Sequence, residues 1–482
     1  MSSKDTFIVK EVLIGVESHL HFTCTLCAHV ISLKSCTENV NLRLQLAMYS
    51  IGCHYEKTKQ FLGNMNMPPP VGETRSRVLK KQIHDATKDV AKQCMSEAAK
   101  ELKDEQGPEV TVSCDATWQR RGFVSKNGVS TVLSVNTNKG PSKVLDSYVS
   151  SNHCAKCLNA KKRFPNIADY QEWFKTHASN CQQNHIGSSG KMEPDGIMNI
   201  FRRSEKNHNL IYTGYLGDGD SKSYKSVAEA VPPVYNGASI TKLECCGHIQ
   251  KRMGKRLLDK VSEYKGQSFT EGGKKFIGIG GAGRLTVTAI KRIQGHYGAA
   301  IRKNIGNLEE MKKSVWAIFN HRKGNHKDCG SWCPKDKVLA DKNKLPNFVL
   351  DKIMPVFVEL SSEVLLKKCL HVGTQNANES FHHLIWTRCP KTTFVGRIRL
   401  EIAVDDATIV FNNGELGRHN IFNKLSLSFG KHCFQCFAAV DRKHISSSLK
   451  QNLNTKKVER YKKSLLTVQE LAGEDCYVPG GF

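Results

Sequence analysis

The chain has 482 residues, which is long enough for two or three domains with a sizeable core. Lys and Arg total 71 against 45 Asp and Glu, and the net charge of +26 favours a polyanionic partner, most commonly nucleic acid. No apolar run approaches the ~20 residues that span a bilayer, and no signal-peptide core is present, so we expect a soluble intracellular protein with no membrane partner. In a reducing compartment, its 18 cysteines predict zinc ligands rather than disulfides.

The N-terminal region combines strand-like alternation with closely spaced cysteines. Apolar and polar residues alternate over residues 7–36, which predicts β-strands. Cys24 and Cys27 have the two-residue separation of a zinc knuckle, but a tetrahedral site needs four ligands. Candidates for the remaining ligands are Cys36, Cys53 and His54.

Helices are predicted for the next segment. Two short helices between residues 39 and 66 flank a turn at Gly52, and they fit either a helix-turn-helix or ordinary packing helices. A longer helix over residues 77–102 has apolar residues every three or four positions and a basic outer face. The apolar stripe of this helix therefore predicts core packing.

A predicted buried strand runs directly into a carboxylate, Asp115. The basic residues Arg120 and Arg121 follow and are candidate DNA contacts. Further strands are predicted for residues 128–136 and 143–149, and the short turns between them indicate antiparallel pairing. An acid at the end of a buried strand is costly unless it is paired or binds a cation. Asp115 is therefore either satisfied by backbone amides or a cation ligand.

Two pairs of potential zinc ligands interrupt the strands. Two residues separate Cys154 from Cys157, and three residues separate His177 from Cys181. Both separations are typical of zinc sites, so we predict that these four side chains bind a structural zinc ion. The alternative is a pair of buried thiols beside a surface histidine.

A second acidic segment, GDGDS, follows a strand predicted for residues 210–216. Asp218 comes directly after the strand, and Asp220 is the alternative for the same role. The glycine neighbours allow a ligand to approach the backbone closely. A calcium-binding loop is the competing interpretation, but the Glu at its twelfth position is missing.

Residues 225–345 are predicted to be helical and contain further potential metal ligands. Cys245 and His248 precede a basic helix whose candidate DNA-binding residues are Lys251, Arg252, Lys255 and Arg256. A second group places four potential ligands within thirteen residues, namely His321, His326, Cys329 and Cys333. This density is a strong indication of a metal site.

The last part of the chain contains a third acid of interest. Thr374 is a predicted helix cap, and Glu379, His382 and Trp386 follow it at three- and four-residue separations. Taken alone, Glu379 is more simply explained as a solvated surface acid. The tail from residue 416 is polar and basic, and we expect it to be partly disordered.

Together, these segments resemble the Mutator-like transposase domain, a DDE-type recombinase with an RNase H-like fold. The resemblance covers roughly residues 7–420. It rests on SCDATWQRRGF at 113–123, GDGDSKSY at 217–224, the CxxH of Cys245 and His248, the HxxxxH/SWC segment at 321–333, and TQNANESFHHLIWTRCPK at 374–391. It implies that Asp115, Asp218 and Glu379 are catalytic, with Asp220 as the alternative second acid.

The resemblance also implies the architecture. We expect an α/β protein in which an RNase H-like mixed sheet with flanking helices is interrupted by a large all-α insertion. An N-terminal cysteine-containing and helical region precedes this core. The predicted boundaries are 1–38 for the cysteine-containing strands, 39–106 for the helices, 107–224 for the first part of the core with a zinc-like insertion at 152–190, 225–345 for the all-α insertion, 346–415 for the last part of the core, and 416–482 for the basic tail.

The chemistry of three converging carboxylates agrees with this family. Their hard oxygen ligands suit two Mg²⁺ or Mn²⁺ ions, which assist the attack of water or a 3′-hydroxyl on a phosphodiester. The implied partners are double-stranded DNA, as transposon terminal repeats and target, and further copies of the chain on that DNA in the nucleus. The alternative is a domesticated or decayed copy that binds DNA or protein without catalysis.

Two assignments remain open for the second zinc site. In the first, Cys245 and His248 reach across the helical insertion to His321 and His326. In the second, His326 forms a local site with the two cysteines that follow it, Cys329 and Cys333. Cys154, Cys157, His177 and Cys181 hold a separate Zn²⁺ in either case.

Overall fold

The computed structural model describes residues 7–120, 124–135, 140–218, 222–334, 344–371 and 373–452. The chain divides into two compact units. The first comprises Met1–Thr213, Lys225–Ser239 and Asn376–Lys443, and the second comprises Gly214–Tyr224, Ile240–Gln375 and His444–Phe482. No helix in the described ranges combines the length and the apolar character needed to cross a membrane.

The first unit begins with a small antiparallel sheet. Its strands are β1 (Phe7–Ile14), β2 (Glu17–Cys24) and β3 (Val30–Lys34), in that spatial order. Helices α1 (Val40–Ser50), α2 (Tyr55–Asn64) and α3 (Glu73–Gln106) follow. The predicted apolar stripe of α3 is buried from Leu79 to Leu102, so the amphipathic prediction is confirmed.

The structure contains a five-stranded mixed sheet. Its strands are β4 (Glu109–Trp118), β5 (Asn127–Ser134), β6 (Val144–Ser151), β7 (Ile211–Gly217) and β8 (Thr241–Glu244). The spatial order is β6-β5-β4-β7-β8, and the boundary between the two units falls within β7. Strands β4, β5 and β6 are antiparallel, as predicted from their short turns, whereas β7 and β8 are parallel.

Helices cover the antiparallel strands in the first unit. Helices α4 (Ala155–Arg163), α5 (Ile167–His177) and α6 (Met192–His208) come between β6 and β7, and α7 (Lys222–Ala228) follows β7. The last part of this unit contains α13 (Asn376–Arg388), α14 (Arg397–Asn413), α15 (His419–Lys424) and the first part of α16 (Lys431–Asn452), whose residues from His444 belong to the second unit. One apolar cluster joins Val129 and Leu133 of β5 to Phe381 of α13 and Val404 of α14. Short 3₁₀ turns are Ala178–Asn180, Ser189–Lys191 and Glu415–Arg418.

The second unit is mainly helical. It contains α8 (Cys246–Glu263), α9 (Val287–Lys303), α10 (Leu308–Lys323), α11 (Asn347–Leu360) and α12 (Glu363–Lys367). Its core includes Met253 of α8, Ile293 of α9, Val315 of α10 and Phe357 of α11, all of which are fully or almost fully buried. A hairpin of β9 (Ser268–Glu271) and β10 (Lys274–Ile277) lies between α8 and α9.

One prediction for the later part of the chain is wrong. The segment 225–345 is not all-helical, because it contains β8 and the β9–β10 hairpin. Gly272 and Gly273 form the hairpin turn at positive φ, which glycine adopts without steric cost. The basic tail, which we expected to be partly disordered, forms α16 in its described part, where Phe437 packs against Phe422 and Phe429. Residues 453–482 lie outside the described ranges.

Candidate functional site

Asp115 lies inside a strand of the mixed sheet rather than at its end. Strand β4 continues to Trp118, and Asp115 pairs with Thr131 of β5, so the predicted strand-end position is wrong. The carboxylate accepts a hydrogen bond from the Ala116 amide at 2.8 Å, and 32% of the side chain is exposed. Asp115 is therefore held by the sheet while remaining accessible to a ligand.

Helix α13 lies along β4 and contacts it at three levels. Asn378 accepts a hydrogen bond from Ser113 at 2.6 Å, and Trp386 donates one to Thr117 at 2.9 Å. Between these contacts, His382 lies 3.7 Å from the Asp115 carboxylate. The contact residues are four positions apart on α13 and two positions apart on β4. These separations correspond to about 6.0 Å along a helix and about 6.6 Å along a strand, so the contacts stay in register along both elements.

Glu379 follows directly after one of these contact residues. Asn378 and His382 are buried on the face of α13 that packs against the sheet. Glu379 and His383 lie on a different face of the same helix and are exposed. Asp115 and Glu379 thus belong to adjacent, packed elements of the first unit.

His382 is the main residue of this region to which the sequence assigned no role. His382 Nε2 and the Thr131 hydroxyl form a hydrogen bond of 3.0 Å, and Thr131 Oγ1 also lies 3.1 Å from the Asp115 carbonyl oxygen. Burial, with a smaller effect of Lys391, lowers the pKa of His382 to about 3. The ring is then neutral near pH 7, and its Nδ1 lies 3.7 Å from the Asp115 carboxylate.

Asp218 belongs to the second unit. It directly follows β7, as predicted, and 69% of its side chain is exposed. His248, in the first turn of α8, places Nδ1 3.5 Å from the Asp218 carboxylate. Asp220 lies outside the described residues, so the choice between the two acids stays a prediction.

The first predicted zinc group is assembled in the structure. The ligand atoms of Cys154, Cys157, His177 and Cys181 all lie within 4.8 Å of one another. Cys154 Sγ is 3.3 Å from His177 Nε2, and the sulfur atoms of Cys157 and Cys181 are 3.5 Å apart. Ligands of a tetrahedral zinc ion are separated by roughly 3.3–3.8 Å, as follows from metal–ligand bonds of about 2.0–2.3 Å. The geometry therefore fits zinc.

The second metal group is local. The ligand atoms of His321, His326, Cys329 and Cys333 also lie within 4.8 Å of one another. Helix α10 ends at Gly324, whose φ of 89° reverses the chain and returns the three later ligands to His321. The two imidazole Nδ1 atoms are 2.9 Å apart, and Cys333 Sγ is 3.5 Å from His326.

The predicted clamp across the insertion does not fit these contacts. Cys245 is buried and accepts a hydrogen bond from the Gln375 amide at 3.4 Å. His248 faces Asp218 instead of the two histidines. Neither residue belongs to a ligand group among the residues that the structure describes.

The N-terminal cysteines do not form a complete site within the described part of one chain. Cys24 and Cys27 end β2 and begin the turn to β3. In the ranges that the structure describes, no third Cys, His or acid joins them in a ligand group. The proposed completion by Cys36, Cys53 or His54 is therefore not observed.

The predicted DNA-binding residues differ in their surroundings. Arg252 lies 3.4 Å from Glu244, and Arg256 lies 2.8 Å from Glu359, so carboxylates partly offset both charges. Lys251 and Lys255 are exposed on the same helix. Arg120 is exposed after β4, and Arg121 lies outside the described residues.

Comparison with known proteins identifies the family. No curated protein matches the chain. The family model for Mutator-like transposase matches residues 4–333, which include Asp115 and Asp218 but end before Glu379. A match over about two thirds of the 482 residues shows that this chain belongs to the Mutator-like transposase family.

Proposed function

We propose that this protein is a DDE transposase that cleaves DNA at transposon ends and transfers the cut strands. Asp115, Asp218 and Glu379 would be its three catalytic acids on an RNase H-like fold. Asp115 lies on the first strand of the mixed sheet in chain order, and Asp218 follows the fourth. The observation that carries the proposal is the packing of the Glu379 helix along the Asp115 strand.

The Asp115 carboxylate suits a divalent cation. It is a partly exposed hard oxygen donor, of the kind that Mg²⁺ and Mn²⁺ prefer. Bound Mg²⁺ or Mn²⁺ would activate a water or 3′-hydroxyl nucleophile and stabilise the leaving oxygen. Thr131 orients the His382 ring, and Asn378 fastens the Glu379 helix to β4, so both residues position side chains of this region.

The basic excess of the chain suits a DNA substrate. Lys251 and Lys255 are exposed on α8 and would contact phosphates, together with Arg120. The paired guanidinium groups of Arg252 and Arg256 would contribute less. We propose that the protein acts on terminal repeats and target DNA in the nucleus as a homo-oligomer.

Zinc has a structural role in this proposal. The group containing Cys154 closes the α4–α5 insertion of the first unit, because its ligands come from both ends of that insertion. The group containing His321 joins the end of α10 to the loop that follows it. Four protein ligands leave no open position on zinc, which is typical of structural sites.

The test is cleavage of duplex DNA that carries the sequences flanking the gene. The purified full chain should nick this DNA with Mg²⁺ or Mn²⁺, and Asp115→Asn, Asp218→Asn and Glu379→Gln should each abolish nicking while DNA binding persists. Matched controls are Asp169→Asn and Glu97→Gln, which alter exposed acids on helices of the first unit. Asp220→Asn should have a milder effect than Asp218→Asn.

Three outcomes separate the alternatives. Normal cleavage by Asp115→Asn or Glu379→Gln refutes the three-acid site. An inactive Asp220→Asn beside an active Asp218→Asn corrects only the identity of the second acid. A wild-type chain that binds DNA but never cleaves it, with either metal, supports the domesticated alternative.

A further inference from the structure

Helix α4, which begins at the first zinc group, is strongly basic. Of its nine residues, four are Lys or Arg and none is Asp or Glu, and the two acids of the insertion, Asp169 and Glu172, belong to α5. All four cations are exposed, and none forms an ion pair with another residue in the described ranges. They are Lys156, Lys161, Lys162 and Arg163. On α8, by contrast, Arg252 and Arg256 lie beside carboxylates. The charge of α4 is therefore available to a polyanionic partner.

The zinc group and α5 fix the inner face of α4. Cys154 is the residue at the N-terminal cap of the helix, and Cys157 and Ala160 are its buried positions. Both cysteines belong to the four-ligand group, so a bound zinc ion would hold the first turn. Farther along, Lys161 Nζ lies 5.6 Å from the centre of the Tyr170 ring on α5. These contacts determine which face of α4 is turned outward.

The outer face of α4 carries side chains that can contact DNA bases. It consists of Ala155, Leu158, Asn159 and Lys162, which are all exposed and have the i, i+3, i+4 and i+7 spacing of one helical face. An Asn amide matches the major-groove edge of adenine, and a Lys can donate to guanine. The apolar side chain of Leu158, which is 49% exposed, suits the methyl group of thymine. Within the described ranges, the side chains of Asn159 and Lys162 have no hydrogen-bond or ion-pair partner.

The dimensions of α4 suit the major groove. A helix with its side chains is about 10–12 Å across, and the groove is about 12 Å wide. The nine residues of α4 extend for about 13 Å along the groove. Lys156 and Arg163 are seven positions apart, so they border the outer face on the same side. Both can therefore reach the phosphates that line one edge of the groove.

The start of α4 adjoins a second basic segment, the β4–β5 turn. The Asn152 amide donates a hydrogen bond to the Lys126 carbonyl at 3.1 Å. The Phe394 ring is contacted on both sides of this junction, by the His153 ring at 4.9 Å and by Lys126 Nζ at 4.8 Å. Lys126 and Arg120 are exposed at the two ends of the turn. The basic surface of α4 thus continues to the end of β4, the strand that carries the first proposed catalytic acid.

We propose that α4 is a recognition helix that lies in the major groove of duplex DNA and reads its sequence. Asn159 and Lys162 contact base edges, and Lys156 and Arg163 contact phosphates. The zinc group keeps the helix in position. This inference rests on the DNA substrate of the proposed function but not on the three catalytic acids. It assigns the selection of transposon ends to the zinc-closed insertion.

Selection of preferred duplexes from a random-sequence pool, followed by anisotropy titrations, tests this proposal. The purified full chain is used without Mg²⁺ or Mn²⁺, so that binding is measured without cleavage. Asn159→Ala should weaken binding to the selected duplex by about 5- to 150-fold, the value of one bidentate base contact, and leave binding to a scrambled duplex unchanged. Lys156→Gln should weaken binding to both duplexes equally and reduce the slope of log affinity against log salt by about 1.

The matched controls lie on α5 of the same insertion. Gln171→Ala removes an exposed amide and Lys175→Gln removes an exposed cation, and both variants should keep the wild-type sequence preference and salt slope. Zinc content and thermal denaturation verify that every variant is folded. Because the substituted side chains are exposed, both measurements should match those of the wild type.

The outcomes separate this inference from the catalytic proposal. A wild-type chain without sequence preference overturns the inference, and so does a preference that survives in both Asn159→Ala and Lys162→Gln. Tighter binding to RNA or to single-stranded DNA than to the selected duplex overturns it as well. Loss of the preference in these variants, in a chain that never cleaves DNA, supports the recognition helix and refutes only the catalytic proposal.

Discussion

The side chain of Asn378 connects the helix that carries Glu379 to the strand that carries Asp115. Asn378 is fully buried and accepts a hydrogen bond from the Ser113 hydroxyl at 2.6 Å. Its amide group donates to the Ser113 carbonyl and to the Thr131 hydroxyl, both at 3.3 Å. Replacing Asn378 with Ala removes all three bonds and leaves the Ser113 hydroxyl without this acceptor.

The size of the effect follows from these contacts. A hydrogen bond contributes a net value of about 1 kcal/mol, and an unsatisfied buried group costs about 1–3 kcal/mol. We therefore expect Asn378→Ala to lower the free energy of unfolding by about 2–4 kcal/mol. Without the tether, α13 is free to shift against β4. A displacement of about 1 Å at Glu379 is expected to reduce cleavage roughly 100-fold even in molecules that remain folded.

Urea denaturation and Mn²⁺-dependent cleavage measure the two effects separately. Cleavage is assayed at a temperature at which the variant remains folded, and Asn180→Ala, at an exposed asparagine, is the control. Ser113→Ala and the double variant complete a mutant cycle, which should give a coupling energy of about 0.5–3 kcal/mol. Wild-type stability and cleavage in Asn378→Ala would refute the reasoning. A loss of cleavage that only tracks the unfolded fraction would leave Asn378 with a purely structural role.

Three further predictions concern zinc, pH and salt. Cys154→Ser should remove one zinc per chain and destabilise the first unit by several kcal/mol. Cys329→Ser should remove zinc only from the group that contains His321. Metal analysis measures the zinc content of each variant, and thermal denaturation measures its stability. The hydrogen bond to Glu401 raises the pKa of His84, so its stabilisation is present below about pH 6.5 and is lost as pH rises through the folded-state pKa. The stability cost of His84→Gln should therefore be larger at pH 6 than at pH 8.5. Duplex DNA affinity should fall steeply with salt, and Lys251→Gln should reduce the slope of log affinity against log salt by about 1.

Each of these predictions has a control and a contrary outcome. Cys245→Ser should retain both zinc ions, and zinc loss in that variant would restore the assignment across the insertion. A pH-independent cost of His84→Gln would show that its contact with Glu401 involves no change in protonation. Arg256→Gln should change the salt slope less than Lys251→Gln, because Glu359 already pairs with Arg256. A DNA affinity that does not respond to salt would exclude the electrostatic model.

Local patterns in the sequence were sufficient for several features. The apolar stripe from Leu79 to Leu102 predicted α3 because helical spacing places these residues on one face. Short turns predicted the antiparallel pairing of β4, β5 and β6, since such turns return the chain beside itself. The two separations in the Cys154 group predicted its ligands, because residues a few positions apart occupy one turn. The Gly272-Gly273 pair is also a local signal, because it is typical of a two-residue turn and connects β9 to β10.

Other features depend on contacts between distant segments. The sequence alone determined that the chain is a basic α/β protein of this family, with acids after predicted strands and paired zinc ligands. Only the tertiary structure decided that Asp115 lies within β4 and beside His382, because strand length and side-chain partners depend on β5 and α13. The tertiary structure also decided that His321 belongs to the local metal group, because the chain reversal at Gly324 brings the other ligands of that group to it. A residue's type and spacing limit the chemistry it can perform, but its partners are set by packing across hundreds of residues, which no short window contains.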